Sequence, residues 1–248
     1  MKAVVVIPAR YASTRLPAKP LLRETGKYLI EHAYEQAVKA RRASAVIVAT
    51  DDRRILDAVE SFGGRAVLTR ADHPSGTDRI AEVASGLDAE LIVNLQGDEP
   101  QFDPSHIDLL IEQVESDPAI GMATLATPLR TKADYLNPNV VKVVCDAAGR
   151  ALYFSRSPIP MVRDGEPDFK HRPPLFLQHL GVYAYRRSIL LQLSTTPPHP
   201  IERSEALEQL RALANGIGIK VGVIESAHRG VDTPEDYAAF VRSYRVQS

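Results

Sequence analysis

The 248-residue chain has a single cysteine, Cys145. An intrachain disulfide is thereby excluded, and a reducing compartment, the cytoplasm, is the expected location. Within "VVKVVCD" that cysteine reads as a small core residue. Net charge is nearly absent as well. With 30 basic against 31 acidic side chains, no overall field favours nucleic acid or an anionic membrane surface, so any anion site must be a local arrangement. The apolar run in "MKAVVVIPAR" is too short for a signal peptide or a membrane span, and no membrane insertion is expected. A further absence is more specific. The loop after the first buried strand, "IPARYASTRLPAKPLL" (Ile7 to Leu22), contains no glycine. That removes both G-x-G-x-x-G and G-x-x-x-x-G-K-[ST], and with them the usual fingerprint of a hydride-transferring Rossmann enzyme.

The composition that remains, 44% hydrophobic and 25% charged, is that of an ordinary globular chain long enough for a large core. "AVVVI" (Ala3 to Ile7), "AVIVAT" (Ala45 to Thr50) and "ELIVNL" (Glu90 to Leu95) are continuous apolar runs, as expected of parallel strands covered on both faces. "AVL" (Ala66 to Leu68) is a short strand. Helices are expected from Leu29 to Ala40, over "DRRILDAVESFGG" with Gly63 and Gly64 as its stop, and over "GTDRIAEVASGL". Strand and helix alternate at short spacing, which predicts βαβ units and a parallel sheet. After Pro128 the pattern changes. "VVKVVCD", "ALYFS" and "HLGVYAYR" read as strands, and Pro158 to Pro174 as a loop or mobile arm. "ERSEALEQLRALANG" predicts one helix, "IKVGVI" a strand, and "DTPEDYAAFVRSY" a helix with Thr233 as N-cap and Pro234 at its first position.

In an open parallel sheet, ligands lie beyond the carboxyl ends of the strands, which directs attention to three loops. The first carries Arg10, Arg15 and Lys19, suited to phosphate oxygens, with prolines that stiffen it; a solvated basic loop is the plain alternative. The second follows the strand at Thr50 and begins with Asp51. The third, "NLQGDEP", presents Asp98 and Glu99 after an uncharged strand, where a carboxylate suits Mg²⁺; Gly-Asp is also an ordinary turn pair. Near the C-terminus, Asp232 in "RGVDTPED" reads as a helix-terminus residue. Because Thr233 already supplies the cap, Asp232 is also free to meet Asp98. In "FLQHLGVYAYR", His179, Gly181, Tyr183 and Tyr185 alternate and so share one strand face, which fits a polar pocket or plain interior packing. Arg156 is either a surface charge or an anchor for a carboxylate.

Taken together, "IPARYASTRLPAKPL", "VATDD", "TRADHPSGTDR", "VNLQGDEP", "GMATLATP", "NPNVVKVV", "ALYFSRSPIP", "HLGVYAYR", "LEQLR" and "GVDTPEDY" run in order over nearly the whole chain. In this they resemble the 3-deoxy-manno-octulosonate (Kdo) cytidylyltransferases, or CMP-Kdo synthetases. One departure is Ala18, where many relatives have glycine. The resemblance implies an α/β fold of nucleotide-diphosphosugar-transferase type: a mostly parallel central sheet flanked by helices, with a small additional β-rich portion for dimerisation and substrate. It implies a single domain over 1–248, with 1–128 mainly nucleotide-binding and 129–248 mainly sugar-binding and dimerising, in a homodimer.

The activity implied is transfer of CMP from CTP to Kdo for lipopolysaccharide assembly, with Mg²⁺. An 8-amino octulosonate or a sialic acid is the alternative substrate. A non-catalytic nucleotide-binding module is the alternative of another class, and intact Asp98 and Asp232 oppose it. The matching motifs assign catalysis to Arg15, Lys19, Asp98 and Asp232. Nucleotide binding falls to Pro8, Ala9, Arg10, Arg15, Lys19, Ser75, Gly76 and Asp98, with Asp78 closing the "SGTD" approach to cytidine. The metal falls to Asp98 and Asp232. Gln96, Arg156, His179, Tyr183, Glu208 and Gln209 surround the sugar acid.

Overall fold

Every residue of "AVVVI" is buried, as a strand covered on both faces requires. The computed structural model describes residues 1–13, 15–170, 174–227 and 230–247. Along the chain run β1 (Ala3–Ala9), α1 (Leu29–Val38), β2 (Ala43–Thr50), α2 (Arg53–Ser61), β3 (Ala66–Leu68), α3 (Gly76–Ser85), β4 (Leu91–Asn94), α4 (Pro104–Ser116) and β5 (Ile120–Pro128). Then follow α5 (Lys132–Leu136), β6 (Lys142–Cys145), β7 (Ala151–Ser155), β8 (Leu177–Arg186), α6 (Arg187–Thr195), α7 (Pro200–Glu205), α8 (Gln209–Ala214), β9 (Gly218–Val223) and α9 (Pro234–Gln247). The class is mixed α/β, as the alternation of patterns predicts.

The chain divides into two compact units, residues 1–111 with 228–248, and residues 112–227. The first holds a four-strand parallel array in the order β3-β2-β1-β4, with Val5 of β1 set between Val46 of β2 and Val93 of β4. Its helices begin where side chains can cap them. Asp52 accepts the Arg54 amide at the start of α2, and Ser75 accepts the Asp78 amide at the start of α3. At α9 the Thr233 hydroxyl accepts the Asp236 amide, while the Asp236 carboxylate accepts the Thr233 amide, a reciprocal cap. Leu16, Leu29, Val231, Tyr237, Phe240 and Val241 form one apolar cluster, so this last helix is packed rather than trailing.

In the second unit β5 is buried along its whole length; it pairs antiparallel with β8 and parallel with β9, and β6 pairs antiparallel with β7 and β8. The stretch after Pro158 has no helix or strand among its described residues, and positions 171–173 of it lie outside them, as do Thr14 and Arg229 of the quoted motifs. It is nevertheless tied down. Val162 and Phe169 pack on the cluster of Leu129, Tyr135 and Phe176, and the Tyr135 hydroxyl donates to the Pro160 carbonyl at 2.8 Å. Cys145 is half-buried, and burial pushes its thiol up to about 11, so it is protonated and inert near neutrality.

One element differs from its sequence pattern. "ERSEALEQLRALANG" is two helices, α7 and α8, because Ala206 turns into the left-handed region at φ 51°. The break has a tertiary cause. A continuous helix would spend the carbonyls of Glu205 and Ala206 on its own ladder, whereas here both accept hydrogen bonds from Arg156, at 2.7 and 3.4 Å. The turn also sends Leu207 into the core.

Candidate active site

The loop after β1 is held in shape from several sides. The Arg54 guanidinium stacks 3.4 Å from the centre of the Tyr11 ring. Leu16 is buried in the cluster that includes α9. Ala18 adopts a left-handed conformation (φ 51°, ψ 29°) and opens a 3-10 turn, Lys19–Leu21, with Pro20 buried inside it. Arg10 donates to the His73 carbonyl at 3.1 Å. Around this loop lies a cavity of about 290 Å³ lined by Pro8, Ala9, Arg10, Ala12, Ser13, Arg15, Lys19, Pro20, Gln96, Gly97 and Asp98. It sits beyond the carboxyl ends of β1 and β4, where an open parallel sheet places its ligands.

The carboxylates meet the cations there. Lys19 Nζ lies 2.5 Å from Asp98 Oδ2 and 3.3 Å from Asp232 Oδ1, and it donates to the Val231 carbonyl at 3.0 Å. Arg15 Nη2 is 3.3 Å from the same Asp232 oxygen. The two acidic segments are joined by a backbone hydrogen bond, Val231 amide to Asp98 carbonyl, at 2.8 Å. Gly97 fits a close approach: a Cβ there would fall 3.2 Å from the Pro8 carbonyl and 3.0 Å from the end of the Ile30 side chain, so the neighbours would have to give way. Glu99, which follows Asp98, is pushed up to about 7, first by burial and then by the negative charges of Asp98 and Asp232.

Ser75 and Gly76 start α3, and a Cβ on Gly76 would stand 3.6 Å from the Pro8 ring, so this helix start borders the first loop. Gln96 lines the cavity and donates to Asn94 at 3.3 Å. Asp51, by contrast, is committed elsewhere. It pairs with the buried guanidinium of Arg79 at 2.8 Å and serves the structure.

The donor set suits magnesium. Two carboxylate oxygens, one from Asp98 and one from Asp232, already share a single cation, the Lys19 ammonium. Among the described residues no group of three or more His, Cys, Asp or Glu side chains forms a ready cage. Mg²⁺ characteristically takes one or two carboxylates and completes its shell with phosphate oxygens and water.

The second unit contains the other expected residues. The half-buried Arg156 is pinned: Nε donates to the Glu205 carbonyl at 2.7 Å, and Nη1 to the Pro138 carbonyl at 3.0 Å. Its own carbonyl accepts from the Lys142 ammonium at 2.6 Å. His179 is buried beside the Thr124 hydroxyl at 3.1 Å, and burial pushes it down to about 3, so the imidazole is neutral. The rings of His179, Tyr183 and Tyr185 follow one another at 5.5 and 5.8 Å, as alternation along β8 predicts. Burial, then the Glu208 charge, raises the Tyr183 phenol. Gln209 is buried, and its amide nitrogen lacks a hydrogen-bond partner among the described residues.

The sequence does not reveal three contributors: the carbonyls of His73 and Val231, and Arg54 over Tyr11. Carbonyl acceptors leave no trace in side-chain identity, and an aromatic next to Arg10 is the only hint of the third.

Cations set against a carboxylate pair, at the carboxyl edge of a parallel α/β sheet, define a nucleotide-handling transferase. Residues 4–221 match the family model described as cytidylyltransferase. The chain is 53% identical over 244 residues to a 3-deoxy-manno-octulosonate cytidylyltransferase of Syntrophobacter fumaroxidans, covering 97% of this chain and 96% of that one. It is 51% identical to the Geobacter sulfurreducens protein of the same name, covering 95% and 96%. A solved CMP:2-keto-3-deoxy-manno-octonic acid synthetase complexed with CTP superposes with a TM-score of 0.93 at 43% identity, over 100% of both chains. The chain belongs to the cytidylyltransferase family, and within it to the 3-deoxy-manno-octulosonate cytidylyltransferases.

Proposed function

We propose that this protein transfers CMP from CTP to the anomeric hydroxyl of Kdo, releasing pyrophosphate, as the Mg²⁺-dependent activation step that feeds lipopolysaccharide assembly. The observation that carries this reading is the meeting of Lys19 and Arg15 with Asp98 and Asp232 beside a cavity at the ends of β1 and β4.

In the reaction the sugar hydroxyl attacks the α-phosphorus of CTP. A new O–P bond forms, the bond to the β-phosphate oxygen breaks, and the hydroxyl proton is lost. Such transfer depends on positioning and charge neutralisation more than on covalent catalysis. Arg10, Arg15 and Lys19 bind the triphosphate, and Pro8 and Ala9 give the loop its shape. Ser75 and Gly76, at the positive end of α3, border the same loop and suit the cytidine. Asp98 and Asp232 would hold Mg²⁺, which when bound would supply charge neutralisation on the phosphates and lower the pKa of the attacking hydroxyl.

Toward the sugar acid, Arg156 pairs with the carboxylate, and its backbone clamps fix its direction. His179 stays neutral, and with Tyr183 it bonds the hydroxyls of the sugar acid. The unpartnered amide of Gln209 offers a further donor, and Gln96 and Glu208 complete the polar set. The single cysteine supports a cytoplasmic setting. Exposed apolar side chains of the second unit, Leu152 and Met161, support homodimerisation through that portion.

The test is pyrophosphate release from CTP with Kdo, 8-amino-Kdo and N-acetylneuraminate assayed side by side, with and without Mg²⁺. Release is expected with Kdo and the metal. Equal release with ATP or UTP would refute the cytidine assignment, and no release with any sugar acid would favour a binding module. Asp98→Asn and Asp232→Asn should each lower turnover by about 10²-fold or more, and near-native turnover would remove that residue from the site.

A further inference from the structure

We propose that Lys19 is the resident counter-ion of the Asp98–Asp232 pair before nucleotide arrives, and that it thereby makes divalent-cation binding conditional on the triphosphate. The inference rests on the reading of these two aspartates as the metal ligands.

The ammonium of Lys19 has three N–H donors, and three acceptors surround it: Asp98 at 2.5 Å, Asp232 at 3.3 Å and the Val231 carbonyl at 3.0 Å. Its side chain is only 16% exposed and that of Asp98 26%, so this contact is sheltered from solvent, whereas Arg15 on Asp232 is 68% exposed and holds loosely. A divalent ion entering the empty protein must therefore displace a charge that is already there. It gains only the difference between two positive charges and one, and it leaves a sheltered ammonium with the Val231 carbonyl as the one acceptor of the three that remains.

Nucleotide changes this balance. The triphosphate offers Lys19 new anionic acceptors on the same side of the cavity, because Lys19 and Asp98 both line it. Once the ammonium turns to the phosphates, the carboxylates are released to a metal that the phosphates also bind. Metal and nucleotide then favour one another through Lys19, and by linkage the coupling is reciprocal. The carboxylates are never left as an uncompensated pair of like charges at any stage.

The test is Mn²⁺ titration of the full chain without nucleotide, read by the electron paramagnetic resonance of free Mn²⁺ and by calorimetry. Lys19→Gln should bind Mn²⁺ about tenfold tighter than wild type or better, and adding Asp98→Asn to that variant should abolish the gain. Lys19→Arg, which keeps the charge, should remain near wild type. Lys19→Met supplies the neutral comparison if the glutamine variant fails to fold, with circular dichroism checking both. Affinity in the neutral variants no tighter than wild type, while Mn²⁺ still binds in the presence of CTP, overturns the counter-ion role and leaves the metal site standing. A gain that survives Asp98→Asn also overturns it. Absence of protein-bound Mn²⁺ even with CTP overturns the metal assignment and the inference together.

Discussion

Asp51 closes on Arg79, carboxylate to guanidinium at 2.8 Å, and Arg79 is completely buried. The same guanidinium also donates to the Thr69 hydroxyl and to the Arg70 carbonyl. Removing one partner of such a pair leaves a buried charge without compensation. Asp51→Ala should therefore cost about 3–5 kcal/mol, seen as a lower urea midpoint. A loss below 1 kcal/mol would mean that the guanidinium finds water or another acceptor.

The backbone at Ala18 leads to a second expectation. A left-handed conformation (φ 51°) at a residue with a Cβ is strained, and glycine would relieve it. Ala18→Gly should raise stability by about 0.5–1 kcal/mol, net of the entropy glycine adds to the unfolded chain. Ala206, also at φ 51°, should respond in the same way. Thermal melts of the two variants check both, and a lower melting temperature would show that the alanine methyl contributes packing that outweighs the strain.

Lys142 is fully buried, and its ammonium serves the carbonyls of Asn137, Val140 and Arg156 at 2.9, 2.6 and 2.6 Å. It is a positioning residue for Arg156. Lys142→Met should destabilise by about 2 kcal/mol or more through the carbonyls it strands. It should also raise KM for the sugar acid while leaving KM for CTP unchanged. Equal changes in both constants would mark a general folding defect instead.

The buried imidazole of His179 makes stability depend on acidity. Its folded pKa, about 3, lies below the ordinary 6.5, so the unfolded chain takes up this proton first. Its contribution is intact above pH 6.5 and is lost as pH falls toward 3, at about 1.4 kcal/mol per pH unit. Between pH 7 and pH 5, wild type should lose about 2 kcal/mol more than His179→Gln in urea unfolding. Parallel losses would show that the imidazole takes up a proton within the fold.

Much of this was legible in the sequence, for identifiable reasons. Strands β1, β2 and β4 are continuous apolar runs that no surface helix tolerates, and Thr233-Pro234 announces α9 through its own cap. Asp98 and Asp232 could be named as separate candidates, because each follows a chemically distinctive stretch. Their convergence on one ammonium depends on contacts across more than a hundred residues, which spacing does not encode. The break at Ala206 was illegible for a related reason. The local pattern favours helix throughout, and the gain that outweighs it comes from Arg156, fifty residues away.

The apolar cluster behind the cation loop has a consequence for how the protein fails. Leu16, from the loop, and Val231, beside Asp232, are anchored by the same side chains of α9, namely Tyr237, Phe240 and Val241. Detaching that terminal helix therefore releases the loop and the distal carboxylate in one cooperative step. Hydrogen exchange of the α9 amides should therefore report on the anchoring of the loop and of the Asp232 segment together, readable without substrate.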